Sequence, residues 1–273
     1  MQPLDYFAFF KYSPTFYEYW QFYPKIIGQK KLKQILKTKN IQIIKNRVVS
    51  KKNKSFLSST LERALISQRK IAKYEKLIEF LGKLPWIKFI GFSGTVSMLN
   101  AKDKDDIDLF IITKANQMWT ARFWLIFLTT ILGVRRKPKM KKYENKLCLN
   151  LFFSEADLKV PKHKQTNYIA HELIQLKPVV NKGQTYERLL YANSWVKNMF
   201  PNTGEKFQIP NYKLKPKKLN LLENSLENLL KVFQQRLIKR YKTKEYLTPT
   251  QLWFFPYDFE TKITRYFRRL ANS

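Results

Sequence analysis

Cysteine is almost missing from the chain: Cys148 is the only one in 273 residues. That excludes a disulfide scaffold and any all-cysteine metal site, and it fits a reducing, cytoplasmic setting. Histidine is nearly as scarce, with His163 and His171 alone, too little imidazole for most zinc enzymes. Seven Gly and 12 Pro exclude a collagen-like or low-complexity chain. Acids are short as well: 20 Asp+Glu stand against 52 Lys+Arg, a formal net charge of +32. Long apolar runs are lacking too. The best candidate, residues 118–134, is interrupted by Thr120, Arg122, Thr129 and Thr130 and falls short of the ~20 apolar residues a bilayer span needs. It reads as a buried core helix. The start, Met1 to Asp5, lacks the basic-then-apolar pattern of a secretory signal.

What is present is core material. With 44% hydrophobic and 15% aromatic residues, the chain can bury a core, so wholesale disorder is excluded. The length suits about one or two domains. Strong positive charge attracts polyanions: nucleic acid, nucleotides or an anionic membrane. Yet only 12 of the 52 basic residues are Arg, and Lys reads phosphate and base edges less well than the planar Arg fork. The chain is also rich in Ile, Asn, Tyr and Phe, so A/T-rich codon usage accounts for the lysines as readily as function does.

Three regions differ in character. Residues 1–55 hold 12 basic residues with only Asp5 and Glu18 as acids. Thr15 and Glu18 have capping-box spacing and open an aromatic helix. A second helix is expected from Gln29 to Lys37, with Leu32, Ile35 and Leu36 on one face. Two short strands, 41–44 and 47–49, flank a Lys45-Asn46 turn. Helices followed by a small hairpin predict a winged-helix-like module. Lys30, Lys31, Lys33 and Lys37 would then line its recognition helix; the alternative is that the module packs on its neighbour with its lysines solvated. Residues 56–180 alternate helix (59–84, 118–132) with strand (86–92, 107–113, 146–153), as expected for a sheet covered by helices. Residues 181–273 predict a helical C-terminal region, clearest over Leu221–Tyr241 and 260–270. The fold class expected is α+β.

The chemistry-bearing stretch runs from Gly91 to Phe110. An apolar strand ends in Ser93-Gly94-Thr95, a small-residue turn whose backbone N–H groups can approach phosphate closely. A short helix follows over 96–101. The next strand opens with Asp106 and Asp108, and period-2 geometry puts both carboxylates on one face, with Ile107 and Leu109 turned into the core. Two adjacent carboxylates repel unless a cation sits between them. Mg²⁺ takes carboxylate and phosphate oxygens together, so the arrangement suits metal-assisted phosphoryl transfer.

Gly94-Thr95, a spacer of ten residues and Asp106-Ile107-Asp108 resemble the signature of the DNA polymerase β-type nucleotidyltransferases. The likeness covers residues 86–153, roughly a quarter of the chain. The whole layout is similar to a prokaryotic subset of that superfamily with a winged-helix-like module before the transferase core and a helical tail after it. Segments 119–123, 135–138, 146–150 and 191–196 carry that likeness. The resemblance implies an NTP substrate held at Gly94 and Thr95. It also implies Mg²⁺ or Mn²⁺ held at Asp106 and Asp108, and nucleotidyl transfer to an acceptor hydroxyl. Thr95 replaces the usual Ser or Gly and keeps a hydroxyl. Leu99 stands where Gly is common. Asn150 stands where active members carry a third carboxylate; Glu155 and Asp157 lie past that strand. A neutral amide cannot act as a general base. The alternative outcome is therefore a degenerate transferase that binds nucleotide, or nucleic acid through its N-terminal module, without turnover.

Other candidates read as structure. His171-Glu172 has no second His at i+4 for a metalloprotease helix, and His163 lies in a lysine-rich surface stretch. Ser93 lacks the flanking pattern of a hydrolase nucleophile. Cys148, inside an apolar strand, reads as a small core hydrophobe, and the 119–127 aromatic stripe as core.

Overall fold

The computed structural model of the chain describes residues 3–51, 53–138, 140–207, 221–241, 246–254 and 259–271. The N-terminal region comprises α1 (Pro3–Phe9), α2 (Phe16–Gln21), α3 (Gln29–Thr38) and the hairpin β1 (Gln42–Ile44) with β2 (Arg47–Val49). The predicted cap of α2 forms: the Thr15 backbone N–H donates to Glu18 and Thr15 Oγ1 accepts from the Glu18 N–H. Lys45 and Asn46 both take positive φ, 47° and 60°, the turn conformation whose twist matches a two-residue hairpin. Leu4, Phe16, Tyr19, Leu32, Leu36 and Val48 form a small core within this region.

After α4 (Leu57–Gly82) come β3 (Ile87–Phe92), α5 (Gly94–Ser97), β4 (Ile107–Thr113), α6 (Met118–Ile131), β5 (Leu147–Ser154), α7 (Asn167–Gln175), β6 (Lys177–Asn181), α8 (Thr185–Ala192) and α9 (Val196–Met199). The chain continues as α10 (Leu221–Tyr241), β7 (Tyr246–Leu247), β8 (Gln251–Trp253) and α11 (Phe259–Ala271). Six strands form one mixed sheet in the order β6-β3-β4-β5-β8-β7. Only β4 and β5 run parallel; the other neighbours are antiparallel. The α+β class holds. The purely helical C-terminal expectation does not, because β7 and β8 extend the sheet. Strands of two and three residues carry no readable periodicity; pairing of β8 with β5, and of β7 with β8, holds them in place, not a pattern of their own.

Alternation along β4 sorts the sheet's two faces. Ile107, Leu109 and Ile111 join Ile78 and Leu81 of α4 and Leu125 of α6. Phe110 and Ile112 join Ile169 and Leu173 of α7 on the other face. That second cluster also takes Tyr6, Phe7, Tyr12 and Phe22 from the N-terminal region and Trp253 and Ile263 from the C-terminal one. All three regions thus share one core. A large side chain buried there contributes roughly 1.5–3 kcal/mol. Among the described residues, no helix is long and apolar enough to cross a membrane.

Candidate functional site

The site lies at one end of the sheet, where β3 turns into α5 and β4 begins. The Ser93 N–H donates to the Asp108 carbonyl at 3.0 Å, holding the turn against β4. Gly94 has φ +60°, and a Cβ there would meet Asp108 Oδ2 at 2.7 Å. Only glycine fits both the left-handed backbone and the close approach. Thr95 follows, partly exposed. Leu99, with φ +56°, takes a left-handed conformation that costs a residue with Cβ roughly 1–2 kcal/mol. The Asn100 N–H donates to the Thr95 carbonyl and its side-chain amide to the Phe10 carbonyl, over-determining that bend.

The loop before β4 is clamped from α4. Lys70, buried at 3% exposure, donates to the Asp103 and Asp105 carbonyls and to Asn145 Oδ1 at 2.7–2.9 Å. Burial lowers its pKa, opposed by Asp105, Asp103 and Asp106.

Asp106 and Asp108 face the same side, and a ligand atom of each lies within 4.8 Å of the other and of Cys148 Sγ. Arg136 donates to Asp106 Oδ2 at 2.5 Å and stacks over Tyr143, 4.4 Å from its centroid. Burial lowers the Arg136 pKa, but the Asp106 charge and hydrogen bond outweigh it, leaving a net rise. The Asn150 side-chain amide donates to Asp108 Oδ1. Burial pushes the Asp108 pKa well up, helped by Asp106 and Glu172, while Arg136 and the Asn150 amide pull it back. Burial, then the two aspartates, also push up the Cys148 thiol. On the far side of the turn, Glu172 of α7 accepts from the Gly94 N–H at 3.2 Å. Burial raises its pKa to about 7, against the lowering effect of the Gly94 and Tyr168 hydrogen bonds.

The structure thus brings Gly94, Asp106, Asp108 and Asn150 together, with Thr95 one residue along. Cys148 needs a correction. It is not a core hydrophobe: its partner across β4 is Asp108, and its thiol donates to Asn150 Oδ1. The β4–β5 register shifts between Leu109 and Phe110, so Asn150 is passed over and Leu151 pairs with Phe110. That irregularity leaves Asn150 free to reach Asp108. Glu155 is no substitute carboxylate. It sits past the other end of β5, its N–H on the Thr113 carbonyl and its carboxylate on Arg188 at 3.1 Å. Asp157 accepts from Thr250. His171 is core, stacked on Tyr6 with centroids 3.5 Å apart, and burial drives its pKa to about 3.

Three residues at the site escape sequence reasoning: Arg136, Cys148 and Glu172. Cys148 shares the period-2 face of Asn150. Glu172 is the acid among the apolar Ile169, Leu173 and Leu176. Arg136 lies in a basic loop without pattern.

In the N-terminal region Lys30, Lys31, Lys33 and Lys37 are exposed. Lys33 and Lys37 line a cavity of about 680 Å³ against Ile41 to Ile44 of the hairpin.

Compared with protein-family models, with curated proteins and with solved structures, the chain gives no match.

Proposed function

We propose that the chain is a metal-dependent nucleotidyltransferase of the DNA polymerase β type, moving a nucleotidyl group from an NTP to an acceptor hydroxyl. One observation carries this reading: Asp106 and Asp108 stand side by side against a glycine turn too close to Asp108 to admit a Cβ. Thr95, one residue past the glycine turn, is the site's candidate for holding phosphate through its backbone N–H and hydroxyl, while the Gly94 N–H would have to leave Glu172 before it could join. Asp106 and Asp108 offer hard carboxylate oxygens, the donors that Mg²⁺ and Mn²⁺ favour. The Cys148 thiol is soft and held protonated, so it stays outside that donor set. When bound, the cation supplies positive charge for the attacking and leaving oxygens. If Asp106 held a cation, the Arg136 guanidinium now paired with it would be free to pair with phosphate.

A second reading has its own support. The Asn150 amide on Asp108 and Arg136 on Asp106 give both carboxylates a partner from within the chain, and among the described residues no third acid joins the Asp106–Asp108–Cys148 group. That favours a chain that binds nucleotide, or nucleic acid through α3 and the β1–β2 hairpin, without transfer. The test is incorporation of each labelled NTP into total nucleic acid or protein, with Mg²⁺ or Mn²⁺. Metal-dependent incorporation supports the first reading. Metal-dependent NTP binding without incorporation, with transfer appearing in Asn150→Asp, supports the second.

A further inference from the structure

On the opposite face of the sheet, α6 and α10 enclose a cavity of about 750 Å³. The two helices are joined at one end by polar bonds. Glu227 of α10 accepts from the Trp119 and Thr120 N–H groups and from Thr120 Oγ1 at 2.7–2.8 Å, satisfying the open N-terminus of α6. Gln234 donates to the Trp119 carbonyl. Beyond those bonds the walls are mostly apolar, with Phe123, Ile126 and Phe127 from α6 facing Phe233, Leu237 and Ile238 from α10, and Arg135 and Lys137 at the edge contributed by the following loop.

Into this wall the chain places a cation that no described residue neutralises. Arg122 donates one guanidinium N–H to Gln234 at 2.6 Å, and its buried Nε has no hydrogen-bond partner. It lies 4.9 Å from the Phe254 centroid. Among the described residues no carboxylate pairs with it, and its charged neighbour is Arg135, another cation lining the same cavity. Burial first, then Arg135, push the Arg122 pKa down to about 9. A guanidinium held in an apolar wall without an anion is unfavourable. A pocket of this size, apolar with a few polar groups at one place, is the usual shape of a small-molecule site.

We propose that the α6–α10 cavity binds a soluble single-chain amphiphile, its acyl chain lying between the helices and its anionic head on Arg122. The ligand offsets the Arg122 charge at a point where no described residue supplies an acid, and its acyl chain covers Phe127, Phe233 and Leu237, which are 40–51% exposed. The lining reaches Arg135 and Lys137, on either side of the Arg136 that pairs with Asp106, but the proposal does not depend on the role of Asp106 and Asp108.

The test titrates the full chain with decanoate and with 1-decanol by calorimetry. Decanoate is expected to saturate one site and to bind about 10-fold tighter than the alcohol, the value of one charge-assisted hydrogen bond. Arg122→Met should keep the melting temperature of the parent and reduce decanoate to the affinity of the alcohol. Ile126→Trp, which fills the cavity, should remove both. Equal affinity for acid and alcohol in the parent overturns the assignment of the head group. Saturable binding unchanged in both variants overturns the site. Displacement of decanoate by phosphatidylglycerol vesicles overturns a soluble ligand in favour of a membrane lipid.

Discussion

Arg136 and Arg122 are drawn from the two faces of one sheet and are treated in opposite ways. Arg136 is closed into an ion pair with Asp106 and a stack on Tyr143. Arg122 has an amide and two aromatic rings for company, Phe254 and Phe152, and no acid among the described residues. The same residue type therefore gives two kinds of site. Around Arg136 the guanidinium and Asp106 are already paired, so an incoming cation or phosphate must displace a bond already made. Around Arg122 a charge is left over, so an incoming anion displaces nothing. The first arrangement suits a site that exchanges ligands, and the second suits one that holds them.

The largest effect expected comes from removing the acids on the neutral face. Asp106→Asn with Asp108→Asn should abolish Mg²⁺-dependent NTP binding measured by calorimetry, while circular dichroism stays that of the parent. Unchanged NTP affinity would sink the site assignment.

A second measurement sets the two arginines directly against each other. Arg136→Met leaves two adjacent carboxylates with no cation, and a partly buried acid stripped of its partner costs about 2 kcal/mol. Arg122→Met removes a charge that nothing neutralises, and apolar replacements of such groups are neutral or stabilising. Chemical denaturation should therefore lower stability in the first variant and hold or raise it in the second. Added Mg²⁺ should restore the first and leave the second unmoved. Equal losses in both would erase the contrast.

A smaller effect lies in pH. Glu172 has a pKa of about 7 when folded, against about 4.3 for a free side chain. Between those values the folded chain holds more protons than the unfolded one, so stability falls as pH rises from about 4.3 to about 7. Glu172→Gln should flatten that fall, matching the parent near pH 4 and exceeding it near pH 8. A parallel pair of stability–pH curves would show that Glu172 is not the group responsible.

The smallest effect belongs to the N-terminal region. If Lys30, Lys31, Lys33 and Lys37 contact phosphates, the log–log slope of nucleic-acid affinity against salt should drop by about one for each Lys→Ala change. Base preference should not change, since phosphate contacts position a protein without reading sequence. A slope insensitive to all four changes would make the lysines solvated surface.

Sequence legibility divides along similar lines. The alternation of Asp106 and Asp108 with Ile107, Leu109 and Ile111 reveals β4 and both of its faces. Helical spacing of leucines gives α10 over Leu221–Tyr241. The β4 signal is readable because one face of the strand is buried; α10 keeps helical spacing, but Leu222, Leu226, Leu229, Phe233 and Leu237 are exposed, and the residues it buries are Glu227, Gln234 and Ile238. Arg136 is not readable in this way. What aims it is a bridge between Arg135 and Leu147, a tertiary pairing with no local trace. Cys148 misleads because an apolar strand surrounds it; its face is set by parity with Asn150, and the shift after Leu109 lets the two act together. β6, β7 and β8 are too short or too irregular to show a period. The Asn150 position, by contrast, follows from counting along β5 alone, and its amide reaches Asp108 where expected.

The Ile27 N–H donates to Asn202, 175 residues further along, and the Asn202 amide donates to the Trp20, Tyr23 and Lys25 carbonyls. Tyr6 and Phe22 close over His171 in the same way. On a ribosome the first helices therefore emerge long before the surfaces they cover. Pairings at such separation slow folding and leave apolar rings uncovered in the meantime. The nascent chain is most prone to aggregate in the interval between α2 and the turn at Asn202. Slower translation across that interval should lengthen the exposure, and a chaperone acting there should matter more than one acting on the finished protein.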